Sequence, residues 1–195
     1  MHLQFYVFSK VQNNHLSQRI YADRDKLRLW MTPQEIYFDF DDHQSKNPNN
    51  PTNYAEGFEK LPHAMVNVNK LSINQVPSFI DDQPFTLDGR TKNTLITVNR
   101  LYHFPFNRIE TKLFNSLYAA EQYLVAHYYQ KCHPENVSAE VEQQRVDAHQ
   151  QILEITYHET SQNQEKITQD RFIINRVPII DVKHHGELGL NNLFH

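Results

Sequence analysis

Apolar and polar residues alternate along most of the first hundred positions, and a period of two marks strands with one buried face. Leu3, Phe5 and Val7 share a side; after an Asn13-Asn14 turn a weaker run extends from Leu16 to Ala22, and Leu27, Leu29 and Met31 repeat the pattern. In the cleanest run, Glu35 to Asp41, Ile36, Phe38 and Phe40 face one way and Glu35, Tyr37, Asp39 and Asp41 the other. Further strands are predicted over Ala64 to Ile73 and Thr94 to Tyr102, with Asp88-Gly89 as a tight-turn signal between them. Residues 44 to 53 are polar and carry Pro48 and Pro51, which push their predecessors out of the helical region, so this segment reads as an exposed, flexible loop.

The period changes after Pro105. Leu113, Phe114, Leu117, Tyr118, Glu121, Leu124, Val125, Tyr128 and Tyr129 follow helical spacing and predict a helix over 110–131. Asn107 with Glu110 fits a capping box at its start, and Lys131, His133 and Pro134 suit its end. A narrower stripe, Val137, Val141, Ala148 and Ile152, predicts a second, surface helix over about 135–151. Alternation then returns at Leu153, Ile155 and Tyr157, at Lys166 to Asn175 and at Ile179, Ile180 and Val182, with Pro178 expected to break the strand before it. The expected fold is therefore a single α+β domain over 1–195. In it, a mostly antiparallel N-terminal sheet is followed by two central helices, and C-terminal strands complete or extend the sheet.

Composition removes several function classes. The four glycines, at 57, 89, 186 and 189, cannot supply the loops of P-loop NTPases, Rossmann dehydrogenases or glycine-loop kinases, which need glycine where backbone crowds a phosphate. Cys132 is the single cysteine, so an intrachain disulfide or a thiolate zinc cluster is excluded. A net charge of −4 without a block of like charge advertises no affinity for nucleic acid, which remains possible through a local patch. The N-terminus lacks the pattern of a secretory signal and no run is long and apolar enough to span a bilayer, so the reading is cytoplasmic with no membrane partner.

Two acidic groups are candidates for metal chemistry. Asp39 and Asp41 put two carboxylates on one strand face about 7 Å apart, which suits a hard cation with His43 beside it, although a solvated strand end has the same pattern. Asp170, followed by Ile179-Ile180-Asp181-Val182-Lys183, resembles the acid-x-lysine half of the metal-dependent nucleases. That resemblance implies Asp170 and Asp181 as Mg²⁺ ligands and Lys183 at the attacked phosphate. The chain departs from the family in lacking a Pro-Asp at Asp170. The twelve histidines are dispersed, with no H-x-x-x-H, and no nucleophile elbow can be found. Trp30, Tyr123 and Asp42 are the residues best placed to anchor a protein partner, Tyr123 because it falls off the predicted helical stripe.

With no assembled catalytic constellation, the leading expectation is a small interaction module of the immunity, inhibitor or accessory-subunit kind that needs no cofactor. The alternatives are a Mg²⁺-dependent nuclease or phosphodiesterase and a subunit of a nucleic-acid-handling complex.

Overall fold

Alternating apolar positions drive most of the chain into strands. The computed structural model describes residues 4–12, 15–22, 59–61, 64–76, 80–88, 94–102, 108–161 and 164–180. Within them lie β1 (Gln4–Gln12), β2 (His15–Tyr21), β3 (Glu59–Leu61), β4 (Ala64–Ser72), β5 (Thr94–Tyr102), β6 (Arg108–Phe114), α1 (Leu117–Cys132), β7 (Val137–Arg145), β8 (Gln150–Ser161) and β9 (Gln164–Ile180).

The strands run in the order β3-β4-β1-β2-β9-β5-β6, and β7 and β8 extend from β9. Pairing is antiparallel except where β2 meets β9, Ile20 against Ile179 and Tyr21 against Ile180. The sheet curls almost closed: Ile73 bridges Leu113 of β6, and the Asn74 amide donates to the Leu113 carbonyl at 2.7 Å. One face of the curled sheet becomes an interior and the other carries α1.

That interior is layered. Phe5, Val7, Ile20, Leu95, Leu113, Val177 and Ile179 fill one end, and Leu16, Ile109 and Ile173 the other. Between them, at the intervening register positions, lies a sheet of amides and hydroxyls. The Gln18 carbonyl accepts from Thr97 Oγ1 (2.6 Å), Asn99 Nδ2 (3.1 Å) and Asn175 Nδ2 (2.8 Å). Its Nε2 donates to Ser9 Oγ and Asn99 Oδ1, both at 2.8 Å, and Thr111 Oγ1 also donates to Asn99 Oδ1 at 2.8 Å. Ser9, Thr97 and Asn99 are wholly buried, so the network stands only because its members satisfy one another.

On the opposite face α1 covers Ile96, Val98, Phe114, Leu153, Ile155, Phe172 and Ile174 with Leu117, Ala120, Leu124 and Val125. Ser116 caps the helix, its hydroxyl accepting from the Ala119 amide at 3.1 Å. Two polar residues on the buried side of α1 hold the 80–88 segment. Gln122 accepts from the Ile80 amide at 2.8 Å, and Glu121 accepts from the Leu87 amide at 2.5 Å.

The α+β expectation with two central helices is overturned: the described chain is mostly strand, with one helix. The predicted second helix is β7, the turn after it and the start of β8. Val137 and Val141 fit a helical or a strand period, but Ala139 between them also faces the core while Ser138, Glu140 and Glu142 are exposed, which is a period of two. The surviving helix begins at Leu117 rather than 110. Leu113 and Phe114 belong to β6, where opposite faces are both buried, one in the interior and one under α1, and such a doubly covered strand imitates a helical stripe. Tyr118, expected in the core, is 49% exposed. Pro178 does not end its strand; it forms the last pair of the β5 ladder, with Thr94, before β2 joins at Ile179, where its missing N–H is tolerated. The strands expected at 27–31 and 35–41, the 44–53 loop and Asn107 lie outside the described residues.

Leu124→Ala should lower unfolding free energy by about 2–5 kcal/mol. Asn99→Leu should cost at least about 2 kcal/mol by orphaning its buried partners. Urea denaturation of the two variants tests both expectations, and a melt of either that overlays the parent would contradict this packing.

Candidate functional site

His127 and Lys131 stand one helical turn apart on α1, and the i,i+4 spacing aims both at the same point of the sheet. That point is Asp170 of β9, which is 5% exposed. His127 Nε2 lies 2.7 Å from Asp170 Oδ2, and Lys131 Nζ lies 2.8 Å from the same oxygen. Arg100, from β5, grips the other oxygen through Nε at 3.2 Å and a terminal nitrogen at 2.7 Å. The Lys131 ammonium also sits 4.7 Å above the ring of Tyr157 from β8, and His127 packs edge-on to Phe172 at 5.3 Å.

Burial alone would raise the Asp170 pKa, but the hydrogen bonds from His127, Lys131 and Arg100 outweigh it and hold the carboxyl well below the usual carboxylate range. The Tyr157 phenol moves the other way: burial, then the Asp170 charge, pushes it far above the ordinary tyrosine value. Both oxygens of Asp170 are therefore engaged by protein cations. The cluster fastens α1 to the sheet rather than offering a vacant carboxylate to an ion or a proton.

Among the described residues no group of three or more His, Cys, Asp or Glu is placed to hold a metal. Asp181 and Lys183, the remainder of the nuclease-like set, lie outside the described residues, as do Asp39, Asp41, His43, Trp30 and Asp42. Tyr123 is described; it is half-buried, its ring 5.2 Å from Phe114. Arg100, His127 and Lys131 escaped the sequence reading. The spacing of His127 and Lys131 was a usable signal, but their acid lies in a strand far along the chain.

A second feature lies on the face of the β7–β8–β9 arm turned away from α1. Cross-strand register places Glu140 opposite Thr156, Glu142 opposite Glu154, Ile167 opposite His158 and Glu165 opposite Thr160. Glu154 pairs with Arg171 at 2.9 Å and Glu165 with His158 at 2.8 Å. Glu140 and Glu142 are exposed and have no ion-pair partner among the described residues. Glu142 stands directly opposite Glu154, a like-charge juxtaposition that Arg171 tempers by binding Glu154 from the next strand. Ile167, 59% exposed, lies on the same face, and β7 pairs only with β8 among the described strands.

No protein-family model, curated protein or solved structure matches this chain. No described helix is long and apolar enough to cross a membrane.

Asp170→Asn should destabilise the protein by about 1–3 kcal/mol, since it leaves the half-buried Arg100 and Lys131 without their counter-charge. The folded pKa of Asp170 lies below the unfolded value of about 3.9, so its contribution is complete above that pH and is lost as pH falls towards the folded value. Wild-type stability should therefore drop on acidification below about pH 4, and the drop should be shallower in Asp170→Asn. Chemical denaturation at pH 7, 4 and 3 measures both; parallel acid limbs would refute the assignment.

Proposed function

We propose that this chain is a small interaction module, of the immunity, inhibitor or accessory-subunit kind, that acts without catalysis of its own and engages a basic protein partner through the outer face of the β7–β8–β9 arm. The observation that carries the reading is that Glu140 and Glu142 are exposed on one face of the arm with no ion-pair partner among the described residues, on the same face as the exposed Ile167, while Glu154 opposite Glu142 is already held by Arg171. Lysine or arginine from a partner would complement the two carboxylates, and the apolar Ile167 would give that contact an anchor. An acidic face repels a phosphate backbone, so a role beside nucleic acid would be that of an accessory subunit docked on a protein. The reading requires no cofactor. The rival Mg²⁺-dependent nuclease would need Asp170 to exchange Arg100, His127 and Lys131 for a metal ion.

The test is affinity capture from cells of the source organism with the wild type and with Glu140→Lys/Glu142→Lys, both checked for unchanged melting temperature. The basic partner should be retained by the wild type and lost by the double variant. Its apparent affinity should fall at least about tenfold between 0.15 and 0.5 M salt, because raising the salt shortens the Debye length and screens exposed charge pairs. Capture indifferent to the substitutions and to salt would reject this surface. Millimolar Mg²⁺ should leave the melting temperature unchanged, since a ligand stabilises a fold only by binding it; a rise accompanied by nucleic-acid cleavage would favour the rival.

A further inference from the structure

Among the described residues β7 is the outermost strand of the arm, paired with β8 along one edge and with no described strand along the other. The phase of its backbone follows from two bonds at its ends. The Thr160 amide donates to the Asn136 carbonyl at 3.0 Å, and the Val146 amide to the Gln150 carbonyl at 3.0 Å. Antiparallel strands bond through every second residue, so Ser138, Glu140, Glu142 and Gln144, in step with Asn136 and Val146, turn their N–H and C=O groups towards β8. Ala139, Val141 and Gln143 turn theirs outward, and these main-chain groups have no hydrogen-bond partner among the described residues. Their strand is covered on one face only: Ala139 and Val141 pack under α1, while Glu140 and Glu142 stand exposed on the other face.

Unpaired N–H and C=O groups template another chain, and sheets commonly blunt such an edge with proline, lysine, a bulge or a short strand. β7 has nine residues, an unbroken one-to-one register with β8, and neither proline nor lysine. Its guard is selective. A second copy adding antiparallel about a two-fold axis sets glutamate against glutamate in every register centred on 140, 141 or 142: Glu140 on Glu140, Glu140 on Glu142, or Glu142 on Glu142. A basic strand meets the opposite situation. Residues facing Glu140 and Glu142 fall in the non-hydrogen-bonded pairs, whose Cα atoms approach to about 4.5 Å, so a lysine or arginine there lies beside each carboxylate.

Resting on the reading of the arm as the contact for a basic partner, we propose that the partner binds by adding an extended segment antiparallel to β7. The segment bonds to the outward main-chain groups of Ala139, Val141 and Gln143. It carries lysine or arginine at alternate positions opposite Glu140 and Glu142, with small or apolar residues between them on the α1 side.

The test uses the full chain and two synthetic peptides of the same composition, lysine and valine either strictly alternating or in blocks, followed by calorimetry and by amide exchange in NMR. The alternating peptide should bind at least about tenfold more tightly than the block peptide. It should slow exchange at the Ala139, Val141 and Gln143 amides, while the Glu140 and Glu142 amides, bonded to β8, are protected throughout. Ala139→Pro removes one outward N–H and leaves the β8 ladder whole, so it should abolish binding in a folded chain; Gln143→Pro takes its place if that variant does not fold. Glu140→Lys/Glu142→Lys should weaken binding at least about tenfold. No binding, equal binding of the two peptides, or binding that leaves the three amides unprotected overturns the proposal. Binding lost in the charge reversal but kept in the proline variant overturns edge addition alone and leaves the outer face as the contact. Protection of the three amides that rises with protein concentration in the absence of peptide assigns the edge to a second copy and overturns it as well.

Discussion

Every part of the described fold hangs on β9. Over its seventeen residues it pairs with β8, β5 and β2 in turn, and its two faces serve different cores. Alternate positions Ile173, Asn175, Val177 and Ile179 enter the curled interior, while Asp170, Phe172 and Ile174 meet α1 and the arm. A slip of one residue would exchange the two sets, putting Asp170 into the apolar interior and Phe172 among the amides, so the register is strongly specified. The Gln18–Asn99–Asn175 hydrogen bonds reinforce it, because an amide layer can be satisfied in only one alignment.

The same strand distributes charge unequally. Asp170 has three basic partners, Arg176 has no acidic partner among the described residues, and Glu142 faces a Glu154 that Arg171 already holds. Saturated charge holds α1 in place. Carboxylates without an ion-pair partner among the described residues, Glu140 and Glu142, lie on the exposed face of the arm. Local departures from electrostatic balance in an otherwise well-satisfied structure are where function is to be sought.

Local pattern made much of the strand content legible. Phe5 and Val7 and the Leu153, Ile155 and Tyr157 run are strands in the structure because their alternation is clean, and the Thr94 to Tyr102 run is a strand as well, recognisable from its β-branched residues although both of its faces are buried. Reading failed at the junction of strand and helix and where the period is ambiguous. Leu113 and Phe114 lie next to each other in sequence but in different cores. Val137 and Val141 suited a helix until Ala139 was seen to face inward with them. Of the candidate residues, Asp170 was singled out as a metal ligand; the structure gives it Arg100, His127 and Lys131 instead.

By itself the sequence determined what the chain lacks and where its strands could form: too few glycines for a phosphate loop, one cysteine, and period-two alternation over much of its length. These are properties of composition and of near neighbours, and they survive without knowledge of the fold. Tertiary structure alone decided that Asp170 would be neutralised, that Arg176 would be buried with no acidic partner among the described residues and that Glu142 would face Glu154. Each outcome depends on which strands pair and in what register, and such long-range contacts leave no mark on the local pattern.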